Sequence, residues 1–369
     1  ITHKVRDNGT FFLENREVTL AEKMREIGYQ TYGVIASFVL LSKFGLKQGF
    51  DFYDDSLNID EMEINFNSEI KADMVYAKFR KWFKKRDKEK KFFAWVHLYD
   101  PHAPYKPPEE YLDKFGHHLE GGYNGEVAYM DKYIGKIIDE LKAVNLLDNT
   151  LIVLTGDHGE AFGEHNEMGH SIFCYEENLK VPLIFYNPEV FPKRLRINNR
   201  VNLIDIMPTI LDLYRQEIPE EIQGTSFIHF LFKDKKEEER TFYIESMHGK
   251  EENGWAPLTG IIDDHYKYIS LPVPELYDLG KDREEKNNLF KKKNRLARTL
   301  DKKLRKIVTE YSKAGSGAQR KLSESDTKHL QSLGYISPFS NTDKSDTNID
   351  PKSGILLDNR YLEIRKKID

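Results

Sequence analysis

A carboxylate and an imidazole stand side by side between two glycines at the end of an apolar run. Residues 151–154 are all apolar and predict a strand that ends at Gly156. Asp157 and His158 follow, and Gly159 closes the turn. Ligands of open α/β sheets bind at the carboxyl ends of strands, and Asp with His is a suitable pair of divalent-metal ligands. The pattern therefore predicts a metal-binding turn, with a polar, solvated loop as the alternative.

His102 occupies a similar position after a second apolar strand. Residues 92–99 predict this strand, and Pro101 and Pro104 restrict the backbone on both sides of the histidine and exclude a helix there. Because two strands that run into the same edge of a sheet can share one site, we expect His102 to lie near Asp157. A surface histidine in a proline turn is the alternative interpretation.

Further polar groups flank these two turns. His170 follows the first turn, and we expect it to be the third polar group of the site. His97, Asp100, Glu164 and His165 lie close by in sequence. We expect these four residues to support the site without contacting a ligand directly.

The surrounding elements predict an α/β domain. A capping box at residues 19–22 starts a helix that ends at Gly28, and a strand follows at residues 31–37. Apolar residues recur at helical spacing over residues 127–141, and residues 181–186 read as a further buried strand. Alternating strands and helices imply a mainly parallel sheet with helices on both faces.

The pattern changes after the charged run at residues 233–240. Short antiparallel strands are predicted there at residues 241–245, 259–262 and 266–271, with a hairpin turn at Asp263 and Asp264, and an amphipathic helix follows over residues 296–311. The tail predicts a linker at 314–318, a polar segment without stable structure at 337–353, and the start of a helix at 361–368.

These segments resemble, in order along the chain, the sulfatase branch of the alkaline phosphatase superfamily. The matching motifs are Pro-His-x-Pro at 101–104, Gly-Asp-His-Gly at 156–159, Gly-His at 169–170, Tyr-Glu followed by Val-Pro-Leu between 175 and 183, and Glu-Leu-Tyr-Asp-Leu at 275–279. Each motif is modest evidence alone, and their collinear order across most of the chain gives the resemblance its specificity.

The resemblance implies a fold and a division into domains. The expected fold is α/β, with a mainly parallel sheet sandwiched by helices and a small α+β C-terminal subdomain. We expect the catalytic domain at residues 1–235, the subdomain at 236–314, and a linker and tail at 315–369 that leads towards helical repeats.

The resemblance also implies metal-dependent hydrolysis of sulfate esters. Asp157 and His158 would hold a divalent metal ion, and His102 and His170 would be catalytic, contacting the anion or protonating the leaving group. The family resemblance implies Ca²⁺, whereas the imidazole of His158 suits Zn²⁺ or Mn²⁺ better. The expected partner is a small anionic ester: a sulfated carbohydrate, an aryl or alkyl sulfate, or a phosphate ester.

The chain departs from the family pattern in two respects. It contains no Cys-x-Pro-x-Arg or Ser-x-Pro-x-Arg turn, and its only cysteine is Cys174. The resemblance therefore implies that the nucleophile and the remaining metal carboxylates come from a segment before Ile1. Moreover, Ala36 and Phe38 stand where classical sulfatases carry a Lys-x-His pair, and His170 stands in place of a lysine.

These departures leave alternatives open. A phosphodiesterase or phosphoglycerol-type transferase on the same fold is one alternative, and a non-catalytic sulfatase-like scaffold is the other. His170 has two candidate roles, because an imidazole can bind the anion or ligate a second metal ion.

Composition narrows the range of partners. The chain has 369 residues, 39% hydrophobic residues and a net charge of −5, which permits a large core and gives no general attraction to nucleic acid. No stretch approaches the roughly 20 apolar residues that a membrane-spanning helix needs. The resemblance favours a periplasmic, extracellular or membrane-anchored location.

Overall fold

The structure is a computed structural model that describes residues 5, 7, 9–57, 69–232, 240–312, 317–332 and 347–365. Its helices are α1 (Leu20–Glu26), α2 (Ala72–Lys85), α3 (Glu109–Phe115), α4 (Leu119–Ala143), α5 (Glu176–Leu179), α6 (Ile206–Leu213), α7 (Ile228–Phe232), α8 (His248–Asn253), α9 (Asn294–Ser312), α10 (Glu324–Ser332) and α11 (Pro351–Arg365). None of these helices is long and apolar enough to cross a membrane.

The strands fall into separate sheets. They are β1 (Gln30–Val34), β2 (Phe52–Asp54), β3 (Phe92–Val96), β4 (Ile152–Thr155), β5 (Ala161–Phe162), β6 (Met168–Gly169), β7 (Leu183–Tyr186), β8 (Thr241–Ser246), β9 (Leu258–Asp263), β10 (Tyr266–Ser270) and β11 (Glu275–Asp278). The first helix begins with the predicted capping box, in which Thr19 and Glu22 exchange side-chain and backbone hydrogen bonds.

A parallel three-stranded sheet in the order β2-β1-β3 forms the first layer. Helix α2 covers it with residues spaced four apart, and Val75, Phe79 and Phe83 are all buried. The fully buried ring of Tyr32 stacks on Trp82, with ring centroids 4.2 Å apart. This packing fixes the carboxyl ends of β1 and β3, which lead into the site.

The next two strands, β4 and β7, pair antiparallel with each other. The predicted α/β architecture is confirmed, but the prediction that residues 181–186 form a buried strand is wrong. Ile184 and Tyr186 expose 54% and 42% of their surface, because they alternate with the inward-facing positions of β7 and nothing in the described part of the chain covers that face.

The strands β8 to β11 form an antiparallel sheet in the order β11-β10-β9-β8, hereafter the C-terminal sheet. The predicted hairpin is present, since β9 and β10 pair from Asp263 to Tyr266 and Asp264 adopts a left-handed conformation with φ of 53°. Helix α9 packs on this sheet through Leu300 and Leu304, as its apolar spacing predicts.

The tail differs from expectation. Residues 313–316 and 333–346 lie outside the described residues. Most of the predicted linker at 314–318 and of the predicted polar segment at 337–353 falls in these two ranges. For residues 347–353 the prediction of no stable structure is wrong, because α11 begins at Pro351. Asp350 is buried and accepts the backbone N–H groups of Lys352 and Val273 at 3.0 and 2.9 Å. Asp followed by Pro is a helix-start signal that compositional polarity concealed.

Because α11 is closely packed, we expect a single methyl group added at Gly354 to have a large effect on stability. A Cβ at Gly354 would overlap the ring of Trp255, whereas a Cβ at Gly135 in α4 meets nothing within 4 Å. We expect Gly354→Ala to lower the free energy of unfolding by about 1–3 kcal/mol through overpacking. Gly135→Ala should raise it by up to about 1 kcal/mol through helix propensity. Urea denaturation of both variants measures the difference, and equal stabilisation by the two would show that α11 does not dock on Trp255.

Candidate active site

The turn after β4 lies tightly against the start of α5. The backbone N–H of Gly159 donates to the carbonyl of Asn178 at 2.8 Å. A Cβ at position 159 would collide with the carbonyl oxygen of Glu177, so only glycine fits there. The close approach fixes the turn that carries Asp157 and His158.

Asp157 and His158 present one oxygen and one nitrogen to the same region. The Nδ1–H of His158 donates to the carbonyl of Gly159 at 2.8 Å, since a carbonyl can only accept. The other ring nitrogen, Nε2, therefore carries the lone pair in the neutral ring and lies 3.7 Å from Oδ2 of Asp157. The Asp157 side chain is 85% exposed and the His158 side chain 38% exposed, so both are accessible to a ligand.

His170 lies directly beside His158, with ring centroids 3.9 Å apart. Its Nδ1 lies 3.2 and 3.3 Å from the two carboxylate oxygens of Glu160, whose side chain is 4% exposed. Glu160 also interacts with Tyr105, and burial together with this carboxylate raises the pKa of the tyrosine. A buried carboxylate on one ring nitrogen sets the orientation of the imidazole and leaves Nε2 as the nitrogen that faces a ligand.

His102 completes the group. Its ring centroid lies 5.5 Å from that of His170, and the ring stacks on Tyr99 at 4.4 Å. Its Nδ1–H donates to the carbonyl of Ala103 at 2.8 Å. Burial lowers the pKa of His102, which favours the neutral ring. The structure thus brings the four predicted residues together, whereas their chemical roles stay predictions.

The expected supporting residues have different positions. His97 is half-buried, and the N–H of Ala36 donates to its Nδ1 at 3.2 Å. Desolvation lowers the pKa of His97 to about 4 against the opposing effect of Asp157. Asp100 is buried and accepts the first N–H of α2, from Ala72, at 3.0 Å. Both residues anchor the end of β3.

His165 and Glu164 both form hydrogen bonds within the loop that follows β4. His165 bonds to Glu177 at 2.6 Å and stacks on Tyr175 with ring centroids 3.6 Å apart, so it belongs to the support of the loop. Glu164 accepts the N–H of Phe162 at 2.6 Å. Sequence reasoning missed the role of Glu160, because its spacing from His170 does not reveal that the loop folds back between them.

The donor atoms of Asp157 and His158 suit a divalent metal ion. Nδ1–H donation to a backbone carbonyl is the usual arrangement of a metal-binding histidine. Two ligands are nevertheless fewer than the four of a zinc site or the six to eight of a calcium site, so further ligands must complete the shell. In the described ranges, the only group of three potential ligands with donor atoms within 4.8 Å is the exposed set Glu109, Asp113 and His117.

The comparison with known proteins places the chain in a family. Residues 3–215 match the family model described as "Sulfatase", and residues 163–313 match "N-sulphoglucosamine sulphohydrolase, C-terminal". Since the first match covers more than half of the chain, the chain belongs to the sulfatase family, within the alkaline phosphatase-like superfamily. Members of this family generally use a divalent metal ion.

Individual relatives agree with this assignment. Arylsulfatase K of Homo sapiens is 29% identical over 223 residues, which cover 58% of this chain and 41% of the relative, so the chain spans less than half of that protein. A solved structure bound to D-glucosamine-2-N,6-O-disulfate has a TM-score of 0.63 at 20% identity and covers 85% of this chain and 87% of its own. The phosphonate monoester hydrolase of Agrobacterium radiobacter has a TM-score of 0.66 at 19% identity, covering 85% and 83%. At these identities the two structures establish the fold alone.

The two glycines of the turn allow a matched test of its geometry. Gly159→Ala must push the turn away from Glu177, whereas a Cβ at Gly156 meets its nearest neighbour, a backbone oxygen, at an ordinary 3.5 Å. We expect Gly159→Ala to weaken Mn²⁺ binding of the full-length protein by about tenfold or more, the usual effect of disturbing the support of a metal ligand. The Gly156→Ala variant should bind Mn²⁺ with nearly the affinity of the parent protein. Isothermal titration with Mn²⁺ measures both, and unaltered binding by Gly159→Ala would contradict the predicted metal turn.

Proposed function

We propose that this chain supplies the metal-binding and anion-binding residues of a metal-dependent sulfuric ester hydrolase that acts on sulfated carbohydrates. The observation that carries the proposal is the convergence of one exposed carboxylate and three imidazoles, from Asp157, His158, His170 and His102, at the ends of β3 and β4. Family membership supports the reaction, and the structural neighbour with a disulfated glucosamine supports the substrate class.

The four site residues would have different chemical roles. Asp157 and His158 would hold the metal ion, which supplies Lewis-acid polarisation of the ester and activation of a nucleophile when it is bound. His170, oriented by Glu160, would donate a hydrogen bond to an anionic oxygen of the ester. His102 would give a proton to the leaving oxygen when its ring is protonated, and the lowered pKa makes that imidazolium a stronger acid.

Cys174 is not the nucleophile. It is buried, and burial raises the pKa of its thiol to about 12, so the reactive thiolate is not formed near neutral pH. The backbone carbonyl of Cys174 accepts a hydrogen bond from Nζ of Lys267. We therefore propose that the nucleophile, together with the remaining metal ligands, is contributed by another part of the full-length protein.

Phosphate-ester hydrolysis is the second candidate. Ala36 and Phe38, at the positions of the classical Lys-x-His pair, are both buried and apolar, so they cannot neutralise a sulfate oxygen. The fold is also that of a phosphonate monoester hydrolase. A comparison of kcat/KM on 4-nitrophenyl sulfate, a sulfated disaccharide and bis(4-nitrophenyl) phosphate separates the two reactions. The proposal fails if the phosphodiester is the preferred substrate.

The metal assignment has its own matched pair of variants. We expect Asp157→Ala in the full-length protein to lose most bound metal and nearly all turnover, since it removes one of the two ligands. Asp113→Ala removes a carboxylate from the exposed group on α3 and should leave both unchanged. Elemental analysis after gel filtration measures the metal content. Loss of metal from Asp113→Ala with retention in Asp157→Ala would move the site to α3.

The role of His170 can be decided by replacing it with a fixed positive charge. If His170 binds the anion, His170→Lys should keep part of the turnover and all of the bound metal, because an ammonium group also donates to anionic oxygens. If His170 ligates a second ion, the variant should lose activity and one equivalent of metal, since a protonated ammonium cannot coordinate. We expect the first outcome, and parallel measurements of turnover and metal stoichiometry distinguish the two.

A further inference from the structure

Lys267, in strand β10 of the C-terminal sheet, is a fully buried cation. Its side chain is 0% exposed, and its Nζ lies 2.9 Å from Oε1 of Glu285 and 3.0 Å from Oε1 of Glu176. It also donates to the carbonyl of Cys174 at 3.1 Å. An unpaired buried ammonium is strongly destabilising, and three oxygens from two separate segments, Cys174–Glu176 and Glu285, lie around this one.

Glu285 holds the same region from a second side. Its side chain is also 0% exposed, and its Oε2 accepts the backbone N–H of Glu176 at 2.6 Å. Its carbonyl lies 3.3 Å from Nε2 of His165. The residue reaches both partners from a left-handed conformation with φ of 49°, which is uncommon for a residue with a side chain. One residue of the C-terminal region thus fixes two points of the loop after β4.

The residues that Lys267 and Glu285 contact lie in the loop that carries His170, most of them near its C-terminal end. This loop, residues 159–178, is closed by the hydrogen bond from Gly159 to Asn178, and Glu177 is the residue against which Gly159 packs. The loop includes His170, and His158 immediately precedes it. A continuous series of bonds therefore runs from Lys267 through the start of α5 to the metal turn.

An apolar contact could hold the two regions together equally well. Replacing buried ion pairs by apolar residues is often neutral or stabilising, so cohesion alone does not explain an ammonium at this point. What an ammonium adds is directional, because its N–H groups fix where each acceptor lies. Two of the acceptors here are the carbonyl of Cys174, just before α5, and the side chain of Glu176, its first residue.

We infer that Lys267 and Glu285 are positioning residues for the reaction: they fix loop 159–178 from the C-terminal sheet so that His158 and His170 stay in contact. The inference rests on the proposed roles of those two histidines. It assigns a catalytic purpose to the C-terminal sheet, which contributes no side chain to the site itself among the described residues.

The test compares stability with geometry in the full-length protein. Lys267→Met leaves the fully buried carboxyl group of Glu285 without its cationic partner and takes one of two cationic partners from the partly buried Glu176, so it should lower both stability and Mn²⁺ affinity. The double variant Lys267→Met/Glu285→Leu removes both buried charges and should recover most of the stability, but its Mn²⁺ affinity should stay about tenfold below that of the parent. In the same variant we expect kcat to fall more than KM rises. Lys303→Met is the control, because it removes a solvent-accessible ion pair with Asp263, the last residue of β9 in the same sheet.

Metal-free protein labelled at histidine Cε1 gives an independent readout. We expect the NMR resonances of His158 and His170 to shift in the double variant and to stay in place in Lys303→Met. A double variant that regains stability, Mn²⁺ affinity and both parental resonances would overturn the inference. Lys267 and Glu285 would then contribute to stability only. The two proposals can fail separately: the metal assignment fails if Asp157→Ala keeps its Mn²⁺, while the resonances still report whether Lys267 and Glu285 position the histidines.

Discussion

The close approach of Gly159 to the start of α5 is the constraint on which the site depends. Two strands end near each other, but strand ends alone do not determine where side chains lie. The turn after β4 has its shape because a backbone N–H reaches the carbonyl of Asn178, and this is possible only without a Cβ. His158 then bonds to the carbonyl of the same glycine, so its ring orientation follows from the turn.

The same arrangement sets the chemistry of the imidazoles. His102, His158 and His170 each place Nδ1 against an oxygen, from a carbonyl in two cases and from Glu160 in the third. Each ring is therefore oriented through Nδ1, which leaves Nε2 as the nitrogen available to a ligand. The buried carboxyl group of Glu160 distinguishes His170 from the other two, because the acceptor beside its Nδ1 is a side chain and not a backbone carbonyl.

The sequence predicts the elements of the fold better than the contacts between them. The capping box at Thr19, the spacing of α9 and the hairpin at Asp264 are local signals, and each appears as predicted. The four site residues could be chosen because proline and glycine mark strand ends. Glu160 and Lys267 could not, since their roles depend on a loop that folds back and on a contact with a strand about a hundred residues away. The error at α11 arose because polar composition outweighed a helix-start signal.

The distribution of charge bears on the substrate. Ala36 and Phe38 are apolar and buried at the positions of the classical Lys-x-His pair, so in the proposed site the neutralisation of an anionic ester would fall to the metal ion and to His170. Burial lowers the pKa of His102, which favours the neutral ring, and because its Nδ1–H donates to the carbonyl of Ala103 the Nε2 of that neutral ring can only accept. The proposed site, with one metal ion and one imidazole beside Glu160, would suit an ester group with a single negative charge. Sulfate monoesters and phosphodiesters carry one such charge, whereas phosphate monoesters carry nearly two at neutral pH, so the site's own charges disfavour phosphomonoesterase chemistry.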